Sequence, residues 1–84
     1  MQFVYIISNS QGLWYTGCTN DLKKRLSEHN DGKSTYTEHR GPYELIYYEA
    51  CLNAKDGYRR EKYLKTGMGK RYLKNRLKQH LEGE

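Results

Sequence analysis

Residues Phe3–His29, FVYIISNSQGLWYTGCTNDLKKRLSEH, decide how the rest of the chain is read. Two apolar-aromatic runs, Phe3–Ser8 and Leu13–Cys18, flank the tetrad Asn9-Ser10-Gln11-Gly12. Asn, Ser and Gly supply the local hydrogen bonds and the tolerance of positive φ that a tight reversal needs, so this stretch predicts a β-hairpin. Behind it, Thr19-Asn20-Asp21 offers N-cap oxygens, and a helix follows from about Asp21 to Asn30 with Leu22, Leu26 and His29 on one stripe and Arg25 at its edge. Tyr5 and Tyr15 fall on neighbouring strands. Two phenols, a guanidinium and an imidazole can therefore meet at one end of a small sheet; the alternative is that the tyrosines only pack and Arg25 is solvated.

Working outward, Gly17 lets the backbone leave the second strand and leaves room for a ligand or another chain. Asp31-Gly32 stops the first helix. Lys33–Pro42 reads as a polar loop carrying Ser34, Thr35, Tyr36, Thr37, His39 and Arg40, each able to touch a phosphate or merely to be solvated. Tyr43–Glu49 is a third strand with apolar bulk on both faces, which suits a central place in a three-stranded sheet but does not fix the sheet order.

Asn53–Thr66 forms a second helix, stopped by Gly67, with an inward stripe of Ala54, Gly57, Tyr58, Glu61 and Leu64 or Lys65. Glu61 stands out, because a carboxylate on a core-facing stripe is costly unless paired or bound to a metal. Both explanations stay open at this point. Gly69–Leu81 forms a third helix that packs through Leu73, Leu77 and Leu81, with Lys70, Arg71, Lys74 and Lys78 outside and Asn75 unassigned. Residues 80–84 are expected to fray. The fold class is α+β: a small three-stranded sheet with a β-hairpin, in the order β-β-α-β-α-α.

A chain of 84 residues with nine tyrosines has room for one domain, residues 1–84, and a thin core built from large side chains. Its net charge of +5 is lopsided. Residues 1–50 hold five Lys or Arg against six Asp or Glu, a net of −1, while residues 51–84 hold ten against four, a net of +6. A basic half of this kind points to a polyanion, most economically nucleic acid, with a solvated helical surface as the alternative. Two cysteines, Cys18 and Cys51, make neither a disulfide scaffold nor a paired-thiolate metal site. No signal-peptide build and no bilayer-length apolar run are present, so the expectation is a cytoplasmic protein without a membrane partner.

Four separated blocks carry a family resemblance. Val4-Tyr5-Ile6, then Tyr15-Thr16-Gly17, then Asn20–Leu26 with His29, resemble the GIY-YIG nuclease superfamily, and Arg59-Arg60-Glu61-Lys62-Tyr63-Leu64-Lys65 resembles its glutamate helix. The likeness covers nearly the whole chain and is nearest to small stand-alone members; nuclease domains of excision-repair and homing enzymes are more distant. It implies a metal-dependent endonuclease in which Tyr5, Tyr15, Arg25, His29 and Glu61 are catalytic, with Glu61 the single protein ligand of Mg²⁺ or Mn²⁺. Tyr15 would be the general base, since a phenol of reference pKa ~10 needs positive charge nearby to act near neutrality. Arg25 would clamp a phosphate oxygen, Tyr5 orient water, and His29 meet the phosphate or leaving group. Lys24, Arg40, Lys65, Lys70, Arg71, Lys74 and Asn75 would contact nucleic acid, DNA foremost. The sequence departs from the family at Phe3 or Val4 in place of glycine, at Thr16 in place of isoleucine, and at Cys18, where some relatives carry lysine. A non-catalytic nucleic-acid-binding module on the same scaffold, and a protein-interaction domain with a tyrosine-rich face, are the competing readings; oligomeric state is left open.

Overall fold

The computed structural model describes residues 1–32 and 40–83. Strands β1 (Gln2–Asn9) and β2 (Trp14–Thr19) form the hairpin, followed by α1 (Leu22–Asn30), β3 (Tyr43–Cys51), α2 (Ala54–Leu64), α3 (Gly67–Arg76) and the short α4 (Lys78–Leu81). The hairpin turn is organised by one side chain: Asn9 Oδ1 accepts from the backbone N–H groups of Gln11 (3.0 Å) and Leu13 (2.9 Å), and Gly12 takes a φ of +78°. Asp21 caps α1 by accepting from Lys24 N at 3.1 Å, and Asn53 caps α2 by accepting from Lys55 N at 2.9 Å.

The sheet is antiparallel in the order β2-β1-β3. The centre is therefore β1, and β3 lies at an edge, contrary to the sequence expectation. Both faces of β3 are apolar for a different reason: helices cover both sides of the sheet. Val4 and Ile6 point to a core with Leu64 and Leu73 of α2 and α3. Tyr5 and Ile7 point the other way, into a second core where Tyr15, Leu22, Leu26, Tyr43 and Leu45 gather. A bulge in β3 between the partners of Ile6 and Ile7 resets the alternation.

Three further expectations are corrected. Gly67 does not end the second helix but begins α3, which Thr66 caps by accepting from Gly69 N at 3.1 Å. Gly69 is the close-approach glycine, since a Cβ there would stand 2.5 Å from Leu64 Cα, and this lets α3 fold back on α2. Of the α2 stripe, Gly57 and Leu64 are buried and Glu61 is partly so, whereas Ala54 and Tyr58 are exposed. The third helix breaks at Leu77, so that Leu73 and Leu77 pack while Leu81 is exposed. Ser34, Thr35, Tyr36, Thr37 and His39 lie outside the described residues.

Candidate active site

The tyrosine cluster follows from register. Tyr5 pairs with Gly17 across the hairpin and Tyr15 with Ile7, which puts both phenols on the α1 face. The space over Gly17 is filled from within the protein: a Cβ there would collide with the Tyr5 hydroxyl and stand 2.5 Å from its Cζ. Gly17 thus makes room for Tyr5, where the sequence suggested room for a ligand. The phenol crosses β2 above this gap.

His29, 1% exposed, sits beneath the phenols, with its Nε2 at 2.8 Å from Tyr5 Oη. Its ring lies 4.9 Å from that of Tyr15, 5.8 Å from that of Tyr5 and 6.3 Å from that of Tyr43. Burial pushes the imidazole's pKa down, and the nearby Arg25 charge adds to this, so His29 is neutral around pH 7. Its stripe on α1 was legible in the sequence; its depth places it against Tyr5 rather than at the surface.

Tyr5 itself is 2% exposed, and its pKa is pushed up to about 12, chiefly by burial. The Arg25 guanidinium beside it opposes that rise, while the fields of Tyr15 and Glu61 reinforce it. Burial works against the Arg25 charge, but contacts with Glu28 and Tyr5 outweigh it and hold the guanidinium cationic. Arg25 Nη1 donates to Glu28 Oε1 at 3.1 Å, one turn along α1.

Glu61 approaches from α2 on the far side of the sheet. Its field reaches both Tyr5 and the Cys18 thiol, whose pKa is raised first by burial and then by this carboxylate. Cys18 is accordingly a protonated thiol that accepts from Gln2 Nε2 at 3.2 Å. The Glu61 side chain is 22% exposed and pairs with Lys65 Nζ at 2.9 Å. It lines a cavity of about 340 Å³ with Tyr58, Arg59, Lys62 and Lys65. Lys65 also borders a neighbouring cavity of about 350 Å³ lined by Trp14, Tyr15, Thr16 and Lys70. Lys65 is thus shared by the cavity that Glu61 lines and the one that Tyr15 lines.

Among the described residues no three His, Cys, Asp or Glu side chains come together as a ready-made metal cage. A hard divalent cation that keeps most of its waters does not need one; a single carboxylate plus substrate oxygens suffices. Glu61 fits that role, since its partner Lys65 is a half-exposed i,i+4 neighbour of the kind that yields readily.

The remaining basic residues are spread more widely. Lys24 is exposed on α1, and Lys70 borders the Tyr15 cavity. Arg71, Lys74 and Asn75 are exposed along α3, outside that cavity's lining. Arg40 is exposed near the hairpin turn, its carbonyl accepting from Asn9 Nδ2 at 3.1 Å. Trp14, read from the sequence only as part of an apolar-aromatic strand, lines the same cavity as Tyr15 and Lys70 while packing against the opposite core. No helix among the described residues is long and apolar enough to cross a membrane.

Comparison with known proteins bears on the same residues. A UPF0213 protein of Clostridium perfringens is 42% identical over 66 residues, 77% of this chain and 71% of that protein. The UPF0213 protein YazA of Bacillus subtilis is 42% identical over 64 residues, 75% of this chain and 65% of its own length. The solution NMR structure of the UPF0213 protein BH0048 from Bacillus halodurans superposes with a TM-score of 0.53 at 35% identity, covering 87% of this chain and 82% of that one. The family model described as the GIY-YIG catalytic domain matches residues 1–72, a span holding both tyrosines, Arg25, His29 and Glu61, and the chain belongs to that family of nucleases.

Proposed function

We propose that this chain is a metal-dependent endonuclease that hydrolyses phosphodiester bonds in nucleic acid, DNA foremost. The observation that carries this reading is the convergence of Tyr15, His29 and Arg25 on Tyr5, whose phenol packs over Gly17 and also feels the Glu61 carboxylate. Hydrolysis of a phosphodiester requires a water stripped of a proton, compensation of charge growing on the phosphate oxygens, and help for the leaving oxygen.

Arg25 binds a non-bridging oxygen. Its tie to Glu28 is a single contact within one helix, so the guanidinium can turn to an anion without disturbing the core. Tyr15, half-buried and lining an open cavity, accepts the proton of the attacking water. Tyr5 stays a neutral phenol at working pH, because burial holds its proton. It orients the water through its hydroxyl, and His29 acts through Tyr5 by fixing that hydroxyl from below. Glu61 would hold Mg²⁺ or Mn²⁺, and the ion, when bound, supplies positive charge for the phosphate and the leaving oxygen.

The test is nicking of plain, branched and single-stranded substrates by purified protein, with and without Mg²⁺ or Mn²⁺, with Glu61→Gln as the control. We expect metal-dependent cleavage by the parent, loss of turnover in the variant, and retained fold and binding. Cleavage by Glu61→Gln at the parent rate would remove the metal role. Binding without any cleavage would favour a basic nucleic-acid-binding module.

A further inference from the structure

We infer that the cavity formed by Trp14, Tyr15, Thr16, Lys65 and Lys70 is a nucleotide subsite beside the candidate catalytic cluster, in which the Trp14 indole stacks on an unpaired base while Lys65 and Lys70 hold its flanking phosphate. This deepens the nuclease reading and rests on it for the position of the scissile bond, but base stacking is measurable without cleavage.

The cavity has the composition such a ligand needs. At about 350 Å³ it lies at the small end of ligand sites, where one base with part of its backbone fits. One wall is aromatic and one is cationic, the pairing that recurs where proteins bind single strands. Trp14 is held from behind: it packs against the Val4, Ile6, Leu64 and Leu73 core, so its ring is a braced platform rather than a loose side chain. Trp14 and Tyr15 face opposite sides of the sheet, but both line this cavity at the edge strand β2, so a base stacked on Trp14 lies beside Tyr15 at the sheet edge. Lys65 comes from the end of α2 and Lys70 from the first turn of α3, held together by the tight α2–α3 junction at Gly69. A paired base cannot present its face to the indole, because its neighbours in the duplex cover it. The subsite therefore takes a nucleotide from a single-stranded, flapped or frayed segment.

Trp14 is the sole tryptophan of the chain, which makes the test direct. Its fluorescence is followed in EDTA while oligothymidylate, oligouridylate, a blunt duplex and an abasic oligodeoxynucleotide of equal length are added. We expect quenching by the base-bearing single strands and little by the duplex or the abasic strand, and the two sugars show whether the subsite prefers DNA or RNA. Trp14→Phe should keep the fold and bind moderately more weakly, whereas Trp14→Ala should lose roughly 5- to 100-fold in affinity for single strands. Where cleavage is measured, Trp14→Phe should raise KM with kcat little changed. Equal quenching by abasic and base-bearing strands, or none by any, overturns the stacking role. Cleavage by the parent alongside absent quenching would retain the nuclease and discard the subsite, while quenching without cleavage would do the reverse.

Discussion

The molecule holds two arginine–carboxylate pairs of opposite character. Arg25 and Glu28 share one helix, touch through one contact of 3.1 Å, and leave about a third of each side chain exposed. Arg60 and Glu49 come from α2 and β3 and meet through two parallel bonds, Nε to Oε1 at 2.8 Å and Nη2 to Oε2 at 3.0 Å. Tyr47 Oη donates to Glu49 Oε2 at 2.7 Å, and the Arg60 guanidinium lies 4.7 Å from the centre of the Tyr72 ring and 5.4 Å from that of Tyr63. The second pair is bidentate, shared with Tyr47 and braced by two rings, so turning Arg60 toward a ligand would strand a half-buried carboxylate. The first pair is loose and stands beside two phenols. A cation meant to receive a transient anion has to be spared by its resting partner, and of these two arginines Arg25 is the one so placed.

The largest effect that follows is on turnover. Arg25→Ala should lower kcat by roughly 10²- to 10³-fold, the ~2–4 kcal/mol expected of a lost charge-stabilising donor. The unfolding temperature should fall only modestly, because a partly exposed i,i+3 pair contributes under ~1 kcal/mol and the Tyr5 hydroxyl keeps His29 as a partner. A variant that unfolds early but cleaves normally when folded would reverse the roles of the two pairs.

The opposite pattern is expected at the other pair. Glu49→Gln should cost about 1–3 kcal/mol of stability by leaving Arg60 without its counter-charge, and should leave turnover per folded molecule unchanged. The effect depends on pH with a definite sign. Burial works to raise the Glu49 carboxyl, and the hydrogen bonds from Arg60 and Tyr47 outweigh it, so its pKa lies below the ordinary 4.5. A group depressed in the folded state contributes stability above its unfolded pKa and loses it as pH falls through the folded value. In urea unfolding, parent and variant should therefore differ by a constant amount from pH 6 to 8 and draw together below about 4.5. A gap that persisted into strong acid would mean that the carboxylate's charge is not what stabilises the pair.

The same contrast explains what the sequence disclosed. Everything around Arg25 rests on short-range pattern: Tyr5 and Tyr15 alternate in a hairpin, and Leu22, Leu26 and His29 recur at three- and four-residue spacing, so the cluster could be assembled from adjacent elements. Arg60 and Glu49 are brought together by the packing of α2 on the sheet, and no local spacing encodes that distance. Edge position fails for a related reason. Apolar bulk on both faces of Tyr43–Glu49 reports cover from two helical layers, which a central strand and this edge strand share. Gly17 could be read as an opening, but what fills it is settled by the register that sets Tyr5 opposite. The start at Gly67 was obscured because a glycine after a helical run reads as a stop, although Thr66 caps it as a start, and the continuous leucine row predicts a helix end later than the backbone takes.

The smallest effect is the sharpest probe of the comparison, because it asks whether Glu28 restrains Arg25 or positions it. Were Glu28 only a resting partner, Glu28→Gln should change stability by no more than ~0.5 kcal/mol, and kcat/KM should hold steady or rise about twofold as the guanidinium loses a competitor for phosphate. Were it an orienting group, as carboxylates often are for catalytic cations, kcat/KM should instead fall tenfold or more with KM little altered. The geometry favours the first outcome. Arg25 already has a second anchor in the Tyr5 hydroxyl, which is itself fixed by His29 from the buried side. With that anchor in place the guanidinium keeps its bearing when Glu28 is neutralised, whereas among the described residues both hydrogen bonds of Arg60 end on Glu49.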